Sequence, residues 1–147
     1  MKQTEFLQQL DQKRIVDAIA QAEKATSGEI RVHIQPKASG GAIRDVAERT
    51  FERLGMTKTQ QRSGVLLFIA SEESQFVILG DKGIDERVPA GFWDEIAAQL
   101  TSRFKKSEFT EGVVDAITAA GQHLAKFFPR QSGDVDELSN EIDVSDE

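Results

Sequence analysis

"GVLLFIASEESQFVILG", residues 64–80, decides the fold. Residues 65–70 form an uninterrupted apolar run, the pattern of a strand covered on both faces. A second short apolar run follows at 76–79, and the polar quartet Ser71-Glu72-Glu73-Ser74 between the two predicts a hairpin. Upstream, "SGEIRVHIQ" alternates Ile30, Val32 and Ile34 with Arg31, His33 and Gln35, which predicts a strand with one apolar face. Between these strands, Ile43, Val46, Ala47, Thr50, Phe51 and Leu54 fall on one helical stripe that Gly55 ends. A β-α-β unit of this kind requires a right-handed crossover and a parallel strand pair. The hairpin then sets the third strand antiparallel to the second.

Three further helices complete the order α-β-α-β-β-α-α. Ile15, Val16, Ile19 and Ala22 share one face of a predicted helix over 12–26, with Asp11 as its N-cap. Pro89 suits the first turn of a helix carrying Phe92, Trp93, Ile96, Ala97, Leu100 and Phe104 at helical spacing. The last helix runs from about Thr110, its expected N-cap, to Phe128, with Pro129 ending it. The expected fold class is α/β, a three-layer α/β/α sandwich. Its small mixed sheet has three to four strands, with 65–70 in the centre and helices on both faces.

Composition narrows the function classes. The 147 residues fit one domain with a real core. There is no cysteine, which excludes disulfides, thiol nucleophiles and zinc-thiolate sites, and two histidines do not make a His-rich metal site. The net charge of −7 belongs to the C-terminal end: no Lys or Arg follows Arg130, while seven acids do. Residues 1–130 read as the domain and 131–147 as an acidic tail. A neutral body with an acidic tail argues against nucleic acid as a partner. Within the tail, Val135, Leu138 and Ile142 recur at helical steps, so a short helical turn could dock on the body at least through Ile142; the alternative is a disordered acidic interaction arm. "MKQTEFLQQLDQKR" lacks the apolar stretch of a signal peptide, and no window approaches the roughly 18 apolar residues of a membrane span. The expectation is a cytoplasmic monomer without a transmembrane segment.

The topology brings chemistry to one place. The end of the third strand lies beside the starts of the first two. Ser27-Gly28-Glu29, Arg62-Ser63-Gly64 and Gly80 through Glu86 should therefore converge at one sheet edge. They offer Glu29, Asp81, Asp85 and Glu86 as carboxylates, and Asp94 could reach the same edge. Clustered carboxylates repel unless a cation or basic side chains sit among them. Hard cations take carboxylate and backbone oxygens, and glycines let carbonyls turn inward. The spacing is not that of an EF-hand. Lys82, Arg87, Arg31 or Arg62 could satisfy the same carboxylates instead. Elsewhere, His33 and His123 read as structural, and Phe92 and Trp93 as packing residues.

"TSGEIRVHI", "RSGVLLFIA", "VILGDKGID", "GFWDEI" and "FKKSEFTEGVVDAI" resemble, in order and spacing, the motifs of the TPM domain family. The similarity extends over about residues 10–144 and is strongest to a small cytoplasmic bacterial branch with an acidic tail, here "GDVDELSNEI". It implies an α/β/α sandwich and a divalent cation, usually calcium with magnesium as the other candidate, at an acidic edge. The commoner family loop is "GYGLEG". Here Asp81 stands in place of an aromatic and Asp85 in place of a glutamate. The ligand set to be examined is therefore Asp81, Asp85, Glu86, Glu29 and Asp94. The resulting expectation is a divalent-cation-binding module with an accessory or protein-interaction role. The alternative is a metal-dependent acid phosphatase, an activity described for a plant member of the family.

Overall fold

A computed structural model describes residues 1–131 and 137–146. Six helices are present among them: α1 (Gln3–Gln8), α2 (Gln12–Glu23), α3 (Ile43–Arg53), α4 (Lys82–Asp85), α5 (Asp94–Lys105) and α6 (Phe109–Phe127). The strands are β1 (Glu29–Gln35), β2 (Gly64–Ala70), β3 (Gln75–Gly80) and β4 (Asp143–Val144), in the sheet order β3-β2-β1-β4. β1 and β2 are parallel with Glu29 opposite Gly64, and β2 and β3 are antiparallel with Val65 opposite Gly80. The sandwich, the parallel β1-β2 pair and the hairpin all stand as the sequence predicts.

Each face of the sheet has its own core. Ile30, Val32, Ile34, Val65, Leu67 and Ile69 point toward α1, α2, α5 and α6, where Ile15, Ile19, Ile96, Leu100, Val113 and Leu124 meet them. Leu66, Phe68, Ala70 and Leu79 point the other way, against Val46, Ala47 and Phe51 of α3 and Met56 of the following 3-10 turn (Met56–Lys58). Every residue of β2 is buried, as its unbroken apolar run requires.

The polar face of β1 is a surprise. His33 is fully buried and Gln35 nearly so, because the chain end lies over them. His33 stacks on Phe68 at 5.2 Å between ring centres. Among the described residues, 137–146 form no helical turn of the kind the spacing predicts. The chain bends at Leu138 and Glu141, and then β4 pairs parallel to β1 with Asp143 opposite His33 and Val144 opposite Ile34. Leu138 packs against the α3-side core and Ile142 against the other, while Val135 lies outside the described residues.

Three helix boundaries differ from expectation. α1 is a short additional helix whose Phe6 packs on Phe109. α5 begins at Asp94 and not at Pro89, because Gly91 adopts a left-handed φ of 76° that interrupts any helix started earlier. Thr110 lies inside α6. Its hydroxyl accepts the Asp11 N–H at 3.0 Å and donates to the Gln9 carbonyl at 3.2 Å, tying the α1–α2 junction to α6. Asp11 does cap α2, accepting from the Arg14 N–H.

Candidate functional site

The three loops converge at the edge that the hairpin dictates. Glu29 N–H donates to the Ser63 carbonyl, Asp81 N–H to Gly64 and Gly83 N–H to Arg62. Asp81 is buried and serves as N-cap of α4, its carboxylate accepting from the Lys82 N–H at 2.7 Å. The same carboxylate is gripped by the Arg62 guanidinium, with Nε at 2.7 Å and Nη2 at 2.8 Å. This bidentate pair is charge-assisted. The Asp81 hydrogen bond also raises the Arg62 pKa further above its ordinary value. Arg62 itself has a left-handed φ of 52°, a conformation an L residue holds only where its surroundings enforce it.

Glu29 is equally committed. It is buried, and its Oε1 accepts the backbone N–H groups of Glu137 at 2.7 Å and Leu138 at 2.6 Å. The tail thus supplies donors at the place where a cation was expected. Asp94 is exposed and stands apart from the edge, beside Gly91 in a neighbouring recess with Phe92 and Trp93.

Asp85, the last residue of α4, and Glu86 just after it remain exposed. They border a cleft of about 430 Å³ whose opposite wall is α3. Glu48 and Glu52 of α3 also line it, together with Arg44, Lys82, Thr57 and Asp81. Arg44 reaches Glu48 at 3.8 Å and Lys82 reaches Glu86 at 3.9 Å. Glu52 and Asp85 make no ion pair among the described residues. Sequence reasoning passed over Glu48 and Glu52. Their one signal was a place on the polar side of a strongly amphipathic helix, which every solvated helix shares.

The five carboxylates expected to hold an ion therefore do not share one coordination sphere. Among the described residues no group of His, Asp or Glu is arranged to hold a metal. Asp81 spends both oxygens and Glu29 its Oε1 on the protein, and Asp94 faces a different recess. Asp85, Glu86, Glu48 and Glu52 line the cleft instead, with Glu48 and Glu86 each held by a neighbouring cation.

Both histidines are packed. His33 Nδ1 lies 2.6 Å from Asp143 Oδ2, and Nε2 lies 2.8 Å from Gln35 Oε1, whose amide nitrogen donates to the Lys37 carbonyl. His123 meets the edge of Phe92, which also contacts Trp93 and Phe127. Arg53 adds a second partner for Asp143 at 3.1 Å. Partial burial pushes the Asp143 carboxyl up, but hydrogen bonds from Arg53 and His33 outweigh it and hold the pKa below the ordinary 3.8. A depressed carboxyl contributes stability above its unfolded value and loses it as pH falls through the folded one. Tail docking should thus be intact above about pH 4 and weaken below it. In an acid NMR titration, the Val144 methyls should move toward random-coil shifts before those of Leu67; simultaneous loss would refute this.

The architecture and its loop-built edge define a class: a three-layer α/β module with a four-stranded mixed sheet and a polar site at the loop-bearing end. The chain belongs to the TPM domain family, whose model matches residues 1–123. It is similar to the BA42 protein of the psychrophilic bacterium Bizionia argentinensis, known from an NMR structure. The two are 46% identical, with a TM-score of 0.86 over 91% of this chain and 92% of that one. The solution structure of an N-terminal domain from a P. gingivalis protein shares the fold at 17% identity, with a TM-score of 0.65 over 80% of this chain and 76% of that one. No curated protein matches the chain. No helix among the described residues is long and apolar enough to cross a membrane.

Proposed function

We propose that the chain is an accessory or interaction module that takes up a divalent cation, calcium or magnesium, in the cleft between α3 and α4. The observation that carries this reading is the facing of Glu48 and Glu52 with Asp85 and Glu86 across an open cleft, two of the four lacking an ion-pair partner among the described residues. Exposed and flexible carboxylates hold such an ion weakly and leave it much of its water. The reading includes a cytoplasmic monomer. In support of the monomer alone, Met1 and Val144 are the exposed large apolar residues among those described.

Calcium or magnesium chloride at about 10 mM, ten times the Kd of a weak site, should stabilise the fold by about 1.4 kcal/mol. Amide shifts should saturate at 48–52 and 81–86 and vanish in a Glu52→Gln/Asp85→Asn variant. No saturable shift, or shifts unchanged in that variant, would sink the proposal.

Arg44 and Lys82 on the same cleft give the phosphatase alternative its one support, since cations there could meet a phosphate. Neither histidine lines the cleft to act as a base. Metal-stimulated hydrolysis of p-nitrophenyl phosphate, abolished by Asp85→Asn, would favour that alternative.

A further inference from the structure

The docked tail is read by the body along its main chain. Glu29 Oε1 accepts the N–H groups of Glu137 and Leu138, and Arg31 Nη2 donates to the Glu141 carbonyl at 3.2 Å. The Ile34 carbonyl accepts the Ser145 N–H at 2.9 Å, and Gln3 Nε2 donates to the Ser145 carbonyl at 2.7 Å. Two tail carboxylates are held: Asp143, between His33 and Arg53, and Glu137, whose Oε2 accepts the Gln60 N–H at 3.1 Å. Leu138 and Ile142 occupy an apolar seat on either core. These contacts require a main chain that pairs with β1 over two residues, two apolar side chains four residues apart, an acid just before the first and an acid just after the second.

The tail fills this groove imperfectly. Its ladder with β1 extends over two residue pairs. Arg31 Nε on the groove side and Asn140 Oδ1 on the tail side are buried without a hydrogen-bond partner among the described residues. A buried polar atom left unpaired keeps its desolvation cost, so the interface contains strain against its own occupant. An incoming acidic strand that offered Arg31 Nε an acceptor would bind the same groove better. Strand addition to an exposed sheet edge is an established mode of peptide recognition.

We propose that the outer edge of β1, flanked by α3, is a docking groove for an acidic segment of a partner protein, with residues 137–146 as its resident and displaceable occupant. Charge complementarity selects that partner: Arg53 and His33 hold the Asp143 carboxylate, and the Arg31 guanidinium lies beside them with its Nη2 on the Glu141 main-chain carbonyl. This inference is independent of the cation reading, since the groove and the α3–α4 cleft use different side chains.

The test uses the full chain carrying Asp143→Ala, which loosens the tail and alters no groove residue. The probe is a fluorescein-labelled peptide of the native sequence 137–146. A tethered tail competes at roughly millimolar effective concentration. The variant should therefore bind the probe about tenfold or more tightly than the unaltered chain does. A probe with alanine in place of its own aspartate at 143 should bind about tenfold more weakly, and Arg53→Ala in the variant should erase that difference. A second chain with Leu138→Ala, Ile142→Ala and Asp143→Ala together provides a fully loosened tail. Failure of the probe to bind this chain, with its fold intact by NMR, overturns the proposal. Equal binding to altered and unaltered chains also overturns it. Dimerisation of the Asp143→Ala chain through tail exchange would overturn the assignment to a partner protein and give the groove to a second copy.

Discussion

Replacing Gly83 with alanine should destabilise the protein by about 3 kcal/mol or more, lowering the melting temperature by roughly 6–12 °C. A Cβ on Gly83 would stand 2.0 Å from the Gln61 carbonyl oxygen and 2.7 Å from that of Arg62. Both obstacles are backbone and cannot rotate away. The close approach is also functional within the fold, because Gly83 N–H donates to that same Arg62 carbonyl at 2.9 Å. Relief requires α4 to lift from the 61–62 turn, and that motion pulls Asp81 away from Arg62. The demand is for space, since Gly83 is not among the residues with a left-handed φ. Gly55 makes the matched control. It has φ 72°, and a Cβ added there would meet nothing within 4 Å, so Gly55→Ala should cost only about 1 kcal/mol of backbone strain. Thermal denaturation followed by circular dichroism compares the two. A Gly83→Ala loss no larger than that of Gly55→Ala would show that the edge is loosely held.

Gly83 also shows what the sequence could and could not convey. The convergence of three loops follows from strand order alone, and strand order follows from one hairpin and one crossover. The partners within the convergence do not follow. Asp81 beside two glycines reads equally well as a cation ligand, a cap or half of an ion pair. Only the left-handed turn at Arg62, which points the guanidinium back at Asp81, decides among them. A non-glycine residue announces no such φ in advance. α1 was missed because six residues are too short for a helical period to register. β4 was missed for a different reason. Its residues become a strand by pairing with β1 and anchoring to Arg53, far away in the chain, while their local spacing suggests a helix. Tertiary contact overrides local pattern most readily in short segments, whose intrinsic preference is small.

Glu29→Ala should cost about 2–3 kcal/mol and release the tail, because Glu29 Oε1 is where the chain end is fastened. Each short bond to the carboxylate is charge-assisted, yet the loss does not reach the sum of both. Once freed, the Glu137 and Leu138 N–H groups regain water. The cost is thus bounded by the docking energy of the tail. Glu29→Gln keeps an acceptor at the same reach and should lose about 1 kcal/mol, with the tail still in place. This pair of variants also separates two roles that one oxygen cannot hold together. A cation bound at Glu29 would have to displace the tail, and calcium would then shift the Glu137 and Leu138 amides in the unaltered chain. A cation in the α3–α4 cleft leaves those amides still, and the response at 48–52 and 81–86 should survive Glu29→Gln unchanged. We expect the second pattern, because Glu29 is already paired inside the protein whereas Glu52 and Asp85 face the open cleft without an ion-pair partner among the described residues.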